Sequence, residues 1–131
     1  MENLKSVGIE YISNRVVMNN DAVMFDIDDT LIYVNKKPIF PMIELLYRAK
    51  YLGYKIVIIT ARLGIEEIVN WTANELASLN ISHDYLGFTT PQTKSDMKRG
   101  LPYRFVLSVG DMPTDLTDSE HYINTSNFSH N

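Results

Sequence analysis

The sequence predicts an α/β protein: a parallel sheet with helices on both faces, in three layers. Apolar-rich runs at 22–27, 55–60, 85–88 and 105–109 lack the strict alternation of a half-exposed strand, as expected of strands covered on both sides. Segments with helical spacing lie between them, and such alternation implies parallel strands joined by right-handed crossovers. Acidic or hydroxyl residues stand at or just past the ends of three of these runs, where open sheets of this kind bind ligands.

Leu4, Val7, Tyr11 and Ile12 give weak helical spacing over Glu2 to Arg15, and Asn19-Asn20-Asp21 reads as a turn before the first strand, Ala22 to Ile27. Pro41 suits a first helical position; after it Met42, Leu45, Leu46 and Ala49 recur at i, i+3, i+4 and i+7, and Gly53 is placed to end the helix. Lys55 to Thr60 is the second strand. Ile65, Ile68, Thr72, Leu76 and Leu79 mark one face of the next helix, which ends near Asn80. Tyr85 to Phe88 is the third strand. Thr93 is placed to N-cap a short helix through Arg99, with Asp96 three residues on, and Leu101-Pro102 stops it. Phe105 to Val109 is the fourth strand, Gly110 to Asp115 a loop, His121 to Asn124 an edge strand, and 125–131 a polar tail.

With 131 residues, 45% of them hydrophobic and 21% charged, the chain fits one globular domain, 1–131, with its motif-bearing core at 22–116. The absence of cysteine excludes a disulfide framework, a thiolate metal site and a thiol nucleophile. A net charge of −4 argues against generic binding to nucleic acid or anionic membrane. No stretch approaches the roughly 18 apolar residues of a membrane span, and the first residues lack the apolar core of a signal peptide. The expectation is a soluble cytoplasmic protein with no membrane partner.

The stretch VMFDIDDTLI at 23–32 gathers three acids within four positions directly after an apolar run. Clustered carboxylates repel one another and resist desolvation, so they persist where a cation or a proton-transfer task offsets the cost. On the predicted scaffold Asp26, Asp28, Thr60 and Asp111 converge on one rim. Oxygen-only ligands favour magnesium, with Asp26 and Asp111 as direct ligands. Beside such an ion Asp26 can attack phosphorus and form an aspartyl-phosphate, while Asp28 serves as acid and base. Thr60 can bond the phosphoryl oxygens and Lys94 can neutralise their charge. Asp115 suits orienting a metal water or Lys94, a reading preferred to that of an early-helix acid.

These residues resemble a known family. DIDDT at 26–30 is similar to the DxDxT motif of the haloacid dehalogenase superfamily of magnesium-dependent phosphohydrolases, and IVIIT at 56–60 to its strand ending in Thr. Lys94 is similar to its basic residue and GDMPTD at 110–115 to its GDxxxD motif, all in the family's order. The resemblance implies a Rossmann-like fold with Asp26 as nucleophile, Asp28 as acid and base, Thr60 and Lys94 as phosphate ligands, and Asp111 as a metal ligand. It also implies that the backbone carbonyl of Asp28 binds magnesium. DIDDTL, TAR at 60–62, TKS at 93–95 and GDMPTDL look most similar to the acid-phosphatase branch, and somewhat to polynucleotide 3′-phosphatase domains. Only ten residues separate Thr30 from Pro41, and the 33 between Thr60 and Lys94 are used by a helix and a strand, so no cap domain fits. An uncapped site implies a large substrate such as a macromolecular end, a second copy of the chain closing the site, or a small ester in an open cleft.

Several positions carry two readings. Lys98 competes with Lys94 for the phosphate, Arg62 suits either substrate contact or a solvated surface, and Tyr33 can stack on a substrate or pack. Asp29 suits a surface or turn-stabilising role and a functional one alike, and Thr30 reads chiefly as a turn residue. The alternative function is a phospho-aspartate or phosphate-binding module similar to a response-regulator receiver. Receivers carry their acceptor Asp after the third strand, where this chain has Gly87-Phe88-Thr89.

Overall fold

A computed structural model describes residues 1–126. In chain order the elements are α1 (Glu2–Ile12), β1 (Asp21–Phe25), α2 (Phe40–Tyr51), β2 (Lys55–Thr60), α3 (Glu66–Ser78), β3 (Tyr85–Phe88), α4 (Lys94–Gly100), β4 (Arg104–Gly110) and β5 (His121–Asn124), with short 3₁₀ turns at Pro91–Thr93 and Pro113–Asp115. The five strands form one sheet in the order β3-β2-β1-β4-β5. Every neighbouring pair is parallel. The predicted three-layer α/β fold is the one observed. Between β1 and α2 lies a turn-rich loop, and between β2 and β3 lies α3.

Chain order explains the layers. The path β1 to β2 to β3 steps in one direction, so its crossovers lie on one face, where Ile12 of α1, Met42, Leu45 and Leu46 of α2 and Leu76 of α3 pack with Val23, Phe25, Ile56 and Ile58. The return from β3 to β4 crosses to the other face, where α4 sends Met97 against Ala22, Met24, Val57, Ile59 and Phe105. The strand order therefore reverses between β1 and β4. That switch point is where a doubly wound sheet opens a crevice beyond its strand ends.

Burial rather than end chemistry sets the helices. No side chain caps α2, yet Met42, Ile43, Leu45, Leu46 and Ala49 are all buried on its inner face. A missing cap costs about 1 kcal/mol. Each buried large apolar side chain stabilises by about 2 kcal/mol, so packing decides. Gly53 follows with φ +100°, the left-handed conformation that ends a helix most cheaply with glycine.

Four expectations shift. The first helix stops at Ile12, three residues before the predicted end. The first strand ends at Phe25, so Asp26 is the first residue beyond it, although its N–H still bonds Val109 O at 3.0 Å. Thr93 precedes α4, but its hydroxyl serves the preceding 3₁₀ turn through Thr90 N at 3.2 Å and does not cap the helix. The predicted polar tail is also too long at its start. Thr125 is fully buried and bonds Thr30 Oγ1 at 3.2 Å and the carbonyl of Asp29 at 3.0 Å, and its own N–H reaches Gly110 O at 2.9 Å. The remainder, 127–131, lies outside the described residues. No helix among those described is long and apolar enough to cross a membrane.

Far from the switch point, Glu120 joins Arg15, after α1, at 2.8 Å and Arg104, opening β4, at 2.6 Å. The hydrogen bond from Arg15, then that from Arg104, hold its carboxyl down to about 2. A depressed carboxyl stabilises the fold above its unfolded pKa and loses that contribution as pH falls through the folded value. Because the side chain is 35% exposed, solvent screening leaves about 1 kcal/mol of the nominal effect. Chemical denaturation of Glu120→Gln should show a deficit of about 1 kcal/mol at neutral pH that closes as pH falls from about 4.5 towards about 2. An unchanged gap across that range contradicts the assignment.

Candidate active site and metal centre

Register brings the acids together. Phe25 pairs with Val109 across β1 and β4, so the residues that follow, Asp26 and the Gly110-Asp111 step, leave adjacent strands at the switch point. Oxygens of Asp26, Asp111 and Asp115 lie within 4.8 Å of one another. Lys94, the first residue of α4, reaches across with Nζ 2.9 Å from Asp26 Oδ1 and 2.5 Å from Asp115 Oδ1. Lys94, Asp115 and Asp26 are buried and Asp111 is half-buried.

Three carboxylates face one ammonium, and the deficit shows in their protonation. Burial, and then the negative charge of Asp115, push the Asp26 carboxyl well above the ordinary range, with Lys94 pulling the other way. Burial also raises Asp111. The mutual interaction of these two carboxyls adds to the rise at Asp26 and works against it at Asp111. Burial works against the Lys94 ammonium, but Asp26 and Asp115 outweigh it and leave its pKa above the usual lysine value. An all-oxygen set with uncompensated negative charge suits a metal ion, which would supply the missing positive charge.

The loop after β4 is built to bring Asp115 beneath the strand end. A Cβ on Gly110 would lie 2.4 Å from Asp115 Oδ2, so only glycine leaves room for the carboxylate. Met112 N–H donates to Asp115 Oδ2 at 3.0 Å and fixes its second oxygen. Lys98, one turn after Lys94, turns away from the acids: its buried ammonium donates to Ser108 Oγ at 2.9 Å, to Asp115 O at 3.0 Å and to Thr117 O. Burial draws its pKa down to about 8. Lys98 thus holds the loop's backbone, and of the two lysines Lys94 is the one at Asp26.

Asp28 stands apart from the carboxylate cluster. Arg62 binds both its oxygens, Nη2 to Oδ1 at 2.8 Å and Nε to Oδ2 at 3.0 Å. The Asp28 side chain remains 43% exposed, whereas that of Arg62 is only 9% exposed. Thr60 ends β2 fully buried, its Oγ1 accepting the Arg62 N–H at 3.2 Å. A cavity of about 310 Å³ opens here, walled by Asp26, Asp28, Ala61, Lys94 and Met112 among others. Asp29 lines it too, in the left-handed region at φ 59°, and Thr30 closes the turn by donating its N–H to Ile27 O at 3.1 Å.

The geometry therefore gathers Asp26, Asp111, Asp115 and Lys94, and sets the carboxylate of Asp28 to one side. Asp115, expected to orient a water or Lys94, does bind Lys94 and also offers an oxygen to the cluster. Sequence reasoning missed Thr125, Thr72 and Glu75. Thr72 and Glu75 donate nothing visible along the chain beyond their i, i+3 spacing on α3, and only the fold carries them to Arg62.

No family model matches the sequence, and no curated protein does. Among solved structures the chain is similar to the class C acid phosphatase from Bacillus anthracis, with TM-score 0.67 and 16% identity over 89% of this chain and 65% of that one. It is also similar to a chain of the Pnkp1/Rnl/Hen1 complex, with TM-score 0.61 and 21% identity over 79% of this chain and 43% of that one. The chain thus spans less than two thirds of either. These likenesses, with the five-stranded parallel sheet, establish a three-layer α/β fold of the Rossmann type.

A divalent ion that binds the native cluster and not the unfolded chain raises stability by about 2.7 kcal/mol at a hundredfold excess over its dissociation constant. Magnesium titration in a thermal-shift assay should raise Tm, and Asp111→Asn should remove most of the rise. A rise of equal size in Asp111→Asn means that the ion binds elsewhere.

Proposed function

We propose that this protein is a magnesium-dependent phosphomonoester hydrolase working through an aspartyl-phosphate. One observation carries the reading: Asp26, at the switch point, lies within 4.8 Å of Asp111 and Asp115, oxygen to oxygen, and takes the Lys94 ammonium at 2.9 Å. Asp26, Asp111 and the backbone carbonyl of Asp28 would hold the magnesium ion, which would supply the charge neutralisation that lets an anionic carboxylate approach a phosphoryl group. An Asp26 oxygen attacks phosphorus, the ester bond breaks, and the departing alcohol takes a proton from Asp28. Water then attacks the aspartyl-phosphate, gives its proton to Asp28 and releases phosphate, so Asp28 regains what it gave. Lys94 and Thr60 stabilise the equatorial oxygens during both transfers.

The substrate in this reading is a phosphorylated small molecule or a macromolecular end, taken in a cytoplasmic setting by a site open at Asp28 and Met112, with a second copy of the chain as a possible cover. The alternative of a receiver-like module is disfavoured by topology. Receivers order their strands 2-1-3-4-5, whereas here β1 lies between β2 and β4. The third strand also ends without an acid.

Steady-state assays with p-nitrophenyl phosphate test the reading. Chelation should abolish turnover and magnesium restore it. Asp26→Asn should lower kcat at least about a thousandfold and Asp28→Asn about a hundredfold. Undiminished activity in Asp26→Asn rules out the nucleophile.

A further inference from the structure

We propose that Glu75 and Thr72, on α3, are positioning residues for Asp28 and act through the Arg62 guanidinium that they hold, a role that rests on Asp28 being the acid and base of a phosphatase. The guanidinium is divided between two sides. Nε and Nη2 grip both oxygens of Asp28 at 3.0 and 2.8 Å. Nη1 is tied to Thr72 Oγ1 at 3.0 Å and to Glu75 Oε1 at 2.8 Å. Thr72 is fully buried and the Glu75 side chain is 15% exposed, so the anchor belongs to the packed face of α3 and not to a mobile rim. Trp71 lies 5.2 Å from Arg62 Cζ and flanks the same group.

An unrestrained arginine at a site mouth samples many rotamers, and an exposed ion pair fixes little. Here the planar fork is clamped from behind, so the front pair of N–H groups has one orientation to offer. A carboxylate has about four lone-pair positions, and the fork uses two of them. Asp28 held in this way keeps acceptor capacity for a proton from water while its direction is set. Electrostatics favours the same division: Glu75 and Asp28 share a single positive charge, and together they hold the guanidinium above the usual arginine value against the opposing effect of burial.

Proton donation by Asp28 matters in proportion to how poor the leaving group is. An alkyl ester departs as an alcohol only if a proton arrives, whereas p-nitrophenolate leaves unaided. The test compares kcat/KM, which covers steps through departure of the alcohol, for glycerol phosphate and p-nitrophenyl phosphate in wild type, Glu75→Gln and Thr72→Val. Glu75→Gln should lower kcat/KM about tenfold or more for the alkyl ester and less than about threefold for the aryl ester. Thr72→Val, isosteric and buried, should shift the ratio in the same direction by a smaller factor and keeps the question answerable if Glu75→Gln folds poorly. Inhibition by orthophosphate should stay within about twofold of wild type, since the phosphate cradle is untouched. Equal losses on both esters, or no loss on either, overturn the positioning role while leaving the phosphatase reading intact. Absence of hydrolysis in wild type overturns the phosphatase reading and the positioning role together.

Discussion

The constraint on which this structure depends is the gathering of three carboxylates, two of them buried, around one lysine at the point where the strand order reverses. Carboxylates removed from water repel one another and favour protonation, as the upward displacement of Asp26 and Asp111 records. Lys94 compensates only part of that charge. The surrounding architecture serves to keep the acids in place in spite of it: Gly110 makes room for Asp115, Met112 N–H fixes the second oxygen of Asp115, and Lys98 pins its carbonyl from below.

A parallel sheet is well suited to this task. Its central strands are covered on both faces, so β1 and β4 are rigid up to their last paired residues, and the side chains just beyond inherit that rigidity. The loops at the switch point are then short and braced by one another. Thr125, beyond β5, bonds Thr30 and the carbonyl of Asp29 across the switch point, which ties the first acidic turn to the end of the sheet. Local polarity is costly here, and the apolar layers on both faces supply the stability that offsets it.

The two acids of the DxD pair end in different surroundings although only Ile27 separates them. Asp26 points into a buried, charge-dense cluster, while the carboxylate of Asp28 is half exposed and held by a guanidinium. In the proposed phosphatase, such divergent environments for neighbouring carboxyls would let one act as nucleophile and the other as acid and base.

The strands and the amphipathic helices were legible in the sequence because burial on two faces leaves continuous apolar runs, and burial on one leaves a 3.6-residue period. The positions of Asp26, Thr60, Lys94 and Asp111 at strand and helix ends followed from those same patterns. What the chain order could not convey was partnership between side chains distant in sequence. Thr125 read as tail because its neighbours are polar, and its burial depends on β5 lying beside β4. Arg62 read equally as substrate contact or solvated surface, and the pairing with Asp28, Thr72 and Glu75 exists only once α3 packs against the sheet. Lys94 and Lys98 sit one helical turn apart, equally buried and with the same chemistry, and only the partners the fold brings to each separate them. Periodicity reports how each element meets an apolar core, whereas charge pairing depends on angles and distances that arise only when the elements dock.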